Sequence, residues 1–117
     1  MKKGNVVIIN GHPDSESFNF GLAAAYKKGA IASGKEVQEI IIIELDFNPN
    51  LEFGYRKRTE LESDLLRAQE QIKWADHIVW VYPVWLGSVP AIMKGFFDRV
   101  LLPGFVFKKG VGSGINL

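Results

Sequence analysis

Two short stretches of this 117-residue chain carry the residue types that could do chemistry. The first, residues 11–19, reads Gly11-His12-Pro13-Asp14-Ser15-Glu16-Ser17-Phe18-Asn19 and joins a β-branched run to a helical pattern. A helix N-terminus offers unpaired amides and a partial positive charge, which suits a phosphate. Ser15, Ser17 and Asn19 add side-chain donors, and His12 can donate to a phosphate oxygen. The stretch lacks both the Gly-x-x-x-x-Gly-Lys-Ser/Thr and the Gly-x-Gly-x-x-Gly patterns. An anion there would be held by hydroxyls and amides, with no lysine and no magnesium. The alternative stands beside it: Ser17 or Asn19 merely caps the helix, and His12 is a solvated turn residue.

The second stretch is Tyr82-Pro83-Val84-Trp85-Leu86-Gly87-Ser88-Val89-Pro90. A loop at the carboxyl end of a strand is normally polar, but this one presents Val84, Trp85 and Leu86 around a glycine. Two prolines stiffen it, and Gly87 lets backbone approach a flat ligand closely. A rigid apolar wall with backbone amides suits an aromatic heterocycle. Trp85 and Leu86 could instead be satellite core under a long loop, or an oligomer contact.

Other chemistries are set aside. Ser15 or Ser17, His12 and Asp14 lie within one short loop, a spacing that does not present a nucleophile, base and orienting acid in line. Asp14 and Glu16 read as a solvated turn, and Arg56-Lys57-Arg58 as a solvated loop. There are no cysteines, which excludes disulfides, thiolate catalysis and cysteine-ligated metal centres. Two histidines without cysteine argue against a dedicated transition-metal site.

The elements that must position the two loops follow from periodicity. Residues 5–10 form a β-branched run suited to a strand buried on both faces. Residues 20–33 place Leu22, Ala23, Tyr26, Ala30 and Ile31 on a helical stripe closed by Gly34. A second strand is expected over 37–45, with four consecutive isoleucines, and a loop over 46–58. A second helix is expected over 59–73, with Thr59 as N-cap, Glu62 completing a capping box, and Leu61, Leu65, Leu66 and Ile72 as its apolar face. A third strand over 77–82 and a third helix over 91–101, with Pro90 at its first turn, complete the pattern. Alternating strands and helices imply parallel pairing in an open α/β sheet with helices on both faces. Ligands bind such sheets beyond the carboxyl ends of the strands, where strand order reverses. Both candidate loops belong to that rim.

Composition bounds the function. Fourteen Lys plus Arg against thirteen Asp plus Glu give a net charge of +1, which argues against nucleic acid or an acidic membrane surface as partner. The length fits one domain. No apolar run reaches the roughly 18 residues of a membrane span. Lys2 and Lys3 precede an apolar run of only four residues, so a mature cytoplasmic chain is expected rather than a signal peptide.

Taken together, these residues resemble the flavodoxin-like NAD(P)H:quinone reductase family, which includes the bacterial modulator-of-drug-activity proteins, the potassium-efflux ancillary oxidoreductases and animal quinone reductases. The resemblance lies in Val7-Ile8-Ile9-Asn10-Gly11-His12-Pro13, Ser17-Phe18-Asn19 and Phe47-Asn48-Pro49. It continues from Trp74 through Val-Tyr-Pro-Val-Trp (residues 81–85) and Gly87-Ser88-Val89-Pro90 to Lys94-Gly95-Phe96-Phe97-Asp98-Arg99-Val100, and ends in Leu102-Pro103-Gly104-Phe105-Val106-Phe107. It implies a three-layer αβα fold with strand order 2-1-3, residues 1–107 being the N-terminal part of the domain. It also implies a non-covalent flavin (FAD or FMN), reduced by NAD(P)H and passing a hydride to a quinone-like acceptor. By position, His12, Ser17, Phe18 and Asn19 would meet the flavin phosphate region, with Gly21 beside it. Pro83, Val84, Trp85, Leu86 and Gly87 would line the isoalloxazine. Residues 94–99 would seat the third helix, with Asp98 and Arg99 paired or near a dimer surface. Arg56-Lys57-Arg58 could steer anionic NADPH. Relatives are usually homodimers.

The sequence also departs from the family pattern. It supplies three of five strands, with no fourth-strand Thr-Thr-Gly-Gly-type loop and none of the Tyr and His that follow it. Leu86 stands where many relatives carry a second Trp. Residues 108–117 read as a Gly-rich flexible tail. The expectation is a shortened member whose third strand lies at an open edge. The competing function is a non-catalytic remnant that binds a partner or a nucleotide.

Overall fold

A computed structural model describes residues 4–102 and Phe105; the 108–117 tail lies outside the described residues. Seven elements follow in order: β1 (Asn5–Asn10), α1 (Phe18–Ala32), β2 (Glu36–Ile41), a 3-10 turn (Ile42–Glu44), α2 (Ser63–Trp74), β3 (His77–Val81) and α3 (Ala91–Val100). The strands form one parallel sheet in the order β2-β1-β3, as expected. The registers are Val6 opposite Val37 on one side and opposite His77 on the other. Gly11 N–H extends the β1–β3 pairing by donating to Val81 O at 2.8 Å. No helix among the described residues is long and apolar enough to cross a membrane.

β1 is the centre of the molecule. Val6, Val7, Ile8, Ile9 and Asn10 are all buried, because side chains alternate between the two faces and both faces are covered. Val7 and Ile9 join Ile40, Ile42, Leu65, Met93 and Phe96 under α2 and α3. Val6 and Ile8 point the other way, onto Ala23 of α1 with Val37, Val79 and Val81 around them. The layers are therefore α1, sheet, and α2 with α3.

The expectations for three elements need correcting. α1 starts at Phe18, two residues early, and only Ala23 and Ala30 of its stripe are buried. Small side chains let the helix lie close on the sheet, so Leu22, Tyr26 and Ile31 splay outward and stay exposed. β2 ends at Ile41, and the isoleucine run then turns through the 3-10 segment, which buries Ile42 and turns Ile43 outward. α2 begins at Ser63 with Glu62 at its N-cap position, so the capping box centred on Thr59 does not form. The Glu62 carboxylate instead meets Arg99 and Asn48 N–H, a tertiary arrangement that outcompetes the local cap. Along α2, Leu65 and Ala68 are buried while Leu66 is half exposed.

α3 is seated from below by Arg99, which is 1% exposed. Its guanidinium donates to Asn48 O, to Glu60 O at 3.0 Å and to the Glu62 carboxylate at 2.8 Å. Asp98 pairs elsewhere, with Lys94. Gly95 packs directly on Pro49, with an added Cβ lying 2.9 Å from Pro49 O. Residues 48–62 are thereby fixed to the back of α3. β3 has β1 as its only partner among the described strands, leaving its outer edge open as expected. Trp80 stays partly exposed there, with its ring edge-on to Phe97 at 5.3 Å between centroids.

Candidate functional site: the rim beyond β1 and β3

The loops after β1 and β3 leave the sheet side by side, because their strands are paired up to Asn10 and Val81. The His12 and Trp85 rings meet edge to face, 5.5 Å between centroids and 81° between planes. Such T-shaped contacts place the positive edge of one ring on the face of the other. The loop after β1 and the apolar loop after β3 are therefore in contact at the rim.

Short hydrogen bonds set the first loop. Asn10, a buried polar residue at the end of β1, accepts His12 N–H on Oδ1 at 3.1 Å. Asp14 N–H then donates to His12 Nδ1 at 2.9 Å. An Nδ1 that accepts an amide proton carries none, so the ring proton sits on Nε2, free to donate outward. Asp14 Oδ1 accepts Glu16 N–H at 3.0 Å, which ties that carboxylate into its own turn. Gly11 is needed for a close approach: an added Cβ would lie 3.0 Å from Met93 Cγ and closer still to its sulfur.

Ser17 bears on the capping alternative for this loop. It occupies the N-cap position of α1, yet its hydroxyl makes no capping hydrogen bond, and Oγ is buried without a partner. α1 has no acidic residue in its first turn. A buried hydroxyl without a partner costs free energy of about 1–3 kcal/mol unless a group outside the chain satisfies it. Ser17 therefore stands at the N-cap position without capping α1 through its side chain. Asn19 is half-buried in the first turn and Phe18 is exposed. Gly21 is exposed with nothing within 4 Å of an added Cβ, so packing within the chain does not demand glycine there.

In the second loop, Trp85 N–H donates to Ser88 O at 2.9 Å and Ser88 N–H to Trp85 O at 3.0 Å. Leu86 and Gly87 form the tip, both with positive φ (51° and 74°), and their amides take no part in the turn's bonds. Paired positive φ is the twist of a two-residue hairpin. Leu86 is the one non-glycine residue with positive φ among the described residues, and it is fully exposed. Val84 and Trp85 are 69% and 47% exposed, which rejects the satellite-core reading. Pro83 is half-buried at the base. The tip thus holds apolar side chains in water under positive φ, which suits either of the two surface roles expected from the sequence, a ligand wall or an oligomer contact.

The chemistry available is therefore donor-rich at one end and apolar at the other. Among the described residues no group of His, Asp or Glu is placed to hold a metal ion. Sequence reasoning named both loops but gave no role to Asn10, whose signal was a polar residue ending a buried run just before Gly11. It also left the tautomer of His12 open.

Comparison with known proteins is consistent with this architecture. Residues 4–116 match the Flavodoxin_2 family, described as having a flavodoxin-like fold. An uncharacterized NAD(P)H oxidoreductase of Haemophilus influenzae is 34% identical over 117 residues, covering 97% of this chain and 58% of that protein. NAD(P)H dehydrogenase [quinone] 1 of Rattus norvegicus is 27% identical over 127 residues, covering 92% of this chain and 46% of the rat protein. Among solved structures, the NAD(P)H:quinone oxidoreductase from Methanothermobacter marburgensis superposes with a TM-score of 0.73 at 26% identity, covering 85% of this chain and 54% of the other. The chain thus spans about half the length of the relatives it matches. It belongs to the Flavodoxin_2 family of flavodoxin-like proteins.

Proposed function

We propose that this chain carries the flavin-binding rim of an NAD(P)H:quinone oxidoreductase, in which a non-covalent flavin (FMN or FAD) relays a hydride from NAD(P)H to a quinone-like acceptor. The observation that carries the reading is the His12–Trp85 contact, which brings the proposed phosphate loop and ring loop together. The names of the relatives from Haemophilus influenzae, rat and Methanothermobacter marburgensis support the same reaction class.

Each residue has a task under this reading. His12 Nε2–H, Ser17 Oγ–H and the amides and Asn19 side chain at the start of α1 would hold the phosphate, with Phe18 and Gly21 alongside. Pro83, Val84 and Trp85 would form the wall against the ring system, and the Leu86 and Gly87 amides would reach its polar edge. Asn10 is a positioning residue that fixes His12 through its N–H. The bound flavin supplies the redox chemistry, and the protein contributes orientation, exclusion of water and local charge. A cytoplasmic homodimer whose domain begins in residues 1–107 belongs to the same reading.

The test is a titration of the chain with FMN and with FAD, followed by flavin fluorescence and visible absorbance. Saturable binding that is weakened by Trp85→Ala is expected, with NAD(P)H-dependent reduction of a simple quinone in the loaded protein. Failure of both flavins to bind would defeat the reading. The second reading, a partner-binding module, rests on the open β3 edge. It predicts no flavin uptake.

A further inference from the structure

Away from the rim, residues of the segment 51–61 line a cleft of about 630 Å³ together with Leu66, Gln69 and Lys73 of α2, Leu102 and Phe105. None of its lining residues belongs to the loops 11–19 or 83–90. The volume falls within the range of about 300–1,000 Å³ found for small-molecule sites. Its floor is apolar, with Leu61, Leu66 and Phe105 prominent. Its rim is cationic. Lys57, Arg58 and Lys73 line it together with Glu60, and Glu70 pairs with Lys73 beside it, leaving a local excess of one positive charge.

The Glu60 carboxylate is engaged with Arg58 at 3.6 Å. Lys57 Nζ lies 4.2 Å from the centroid of the Phe53 ring. Lys73 Nζ reaches Glu70 at 3.5 Å and lies 5.8 Å from the Phe105 ring centroid. Cations held beside aromatic rings and an apolar floor present charge and ring surface together. Thr59 Oγ1, also lining the cleft, is buried without a hydrogen-bond partner. The cleft wall is not a loose loop. Buried Arg99 grips Glu60 O and the Glu62 carboxylate from behind, so Thr59, Glu60 and Leu61 hold their places without a ligand.

We infer that this cleft is a second binding site, separate from the rim, for a small planar aromatic molecule bearing an acidic group, carboxylate or phosphate. The ring would lie on the leucine and Phe105 floor. The acid would face Arg58 and Lys73 and accept a hydrogen bond from the Thr59 hydroxyl.

The experiment is an amide chemical-shift titration of the folded chain with 2-naphthoate, 2-naphthyl phosphate and neutral 2-naphthol, repeated with the Arg58→Gln/Lys73→Gln double variant. Both side chains are well exposed (86% and 61%), so the variant should keep the parent spectrum elsewhere. The expected result is saturable shifts at Thr59, Glu60, Gln69 and Lys73 with either acid, about tenfold weaker in the double variant and weaker again for the naphthol. The tighter of the two acids identifies the natural acidic group. Shifts confined to His12 and Trp85, equal binding of the neutral probe, or an unchanged affinity in the double variant would each overturn the assignment. Flavin binding at the rim is measured separately, so the two proposals can fail independently.

Discussion

Replacing Arg99 by methionine, which keeps much of the side-chain volume and removes the charge, tests how the helix behind the rim is held. The wild-type guanidinium is 1% exposed and donates to two main-chain carbonyls, Asn48 O and Glu60 O, and to both oxygens of Glu62. Removing one partner of a buried ion pair costs about 3–5 kcal/mol, because the remaining acceptors are stranded. Two effects reduce that figure here. Arg99 Nε is itself buried without a partner, so its removal relieves one unsatisfied donor. The Glu62 side chain is about one-third exposed and can recover some hydration. The expected loss is therefore about 3 kcal/mol, against about 0.2–1 kcal/mol for an ordinary exposed pair. Urea unfolding reads it as a fall in midpoint at constant slope. The Arg99→Met/Glu62→Gln double variant should lose less than the two single losses added together. Acid adds an independent arm. Burial alone would raise the Glu62 pKa, but the Arg99 hydrogen bond and charge and the amides of Asn48 and Glu62 outweigh it and hold it below its ordinary 4.5. A depressed folded-state value gives stability that is complete above the ordinary value and lost as pH falls through the folded one. Wild type should therefore lose more stability below about pH 4.5 than Glu62→Gln does. A loss under about 1 kcal/mol for Arg99→Met, or strict additivity in the double variant, would refute the claim that this pair anchors residues 48–62.

Three further substitutions probe the same framework. Gly95→Ala drives a methyl into the Pro49 ring and carbonyl; the overpacking should outweigh the gain in helix propensity and cost about 1–2 kcal/mol in thermal unfolding. Leu86→Asn should stabilise the chain by up to about 1 kcal/mol, since asparagine tolerates positive φ and the leucine side chain buries nothing; it should weaken flavin uptake, and a titration reads both effects on one sample. Ser17→Ala should stabilise the free chain by about 1–3 kcal/mol, the cost of the unpartnered hydroxyl, unlike the loss of a working N-cap, while weakening flavin binding about tenfold; a normal capping loss on unfolding would show that the hydroxyl serves the helix after all.

The contrast between what the sequence carried and what it hid follows from the range of the interactions. β1, the alternation of strands and helices, and both rim loops are local patterns: a β-branched run, a turn-rich link and a Pro-bounded apolar loop within a few residues of one another. Their meeting in space also follows, because parallel pairing of β1 with β3 leaves their exits adjacent. The start of α2 was misread because Thr59 and Glu62 form a valid capping pair by spacing alone. The outcome was set by Arg99, 37 residues further on. The α1 stripe was misread for a related reason. Periodicity identifies which residues share a face, but which of them touch the sheet depends on how closely the helix can approach, and Ala23 and Ala30 set that distance. Positive φ at Leu86 had no sequence signal, since leucine is a poor residue for it.

That last feature bears on function more directly than any motif. A turn with two successive positive φ angles favours Asn-Gly or Gly-Gly, and either would fold at lower cost than Leu-Gly. The leucine at the tip is fully exposed, so no packing within the described residues offsets its strain. The same holds at the other loop, where a serine in the N-cap position leaves its hydroxyl buried and unpartnered. Local strain and an unsatisfied donor, each about 1–3 kcal/mol in kind, occur on two loops joined by the His12–Trp85 contact. Folding alone would remove both costs, whereas a ligand with an anionic end and a flat apolar end would use both. Measuring Leu86→Asn and Ser17→Ala together therefore tests the two loops as one unit. If the proposed flavin spans them, the free chain gains stability in the double variant while flavin affinity falls by the sum of the two single losses, whereas a flavin seated on only one loop would register only one of them.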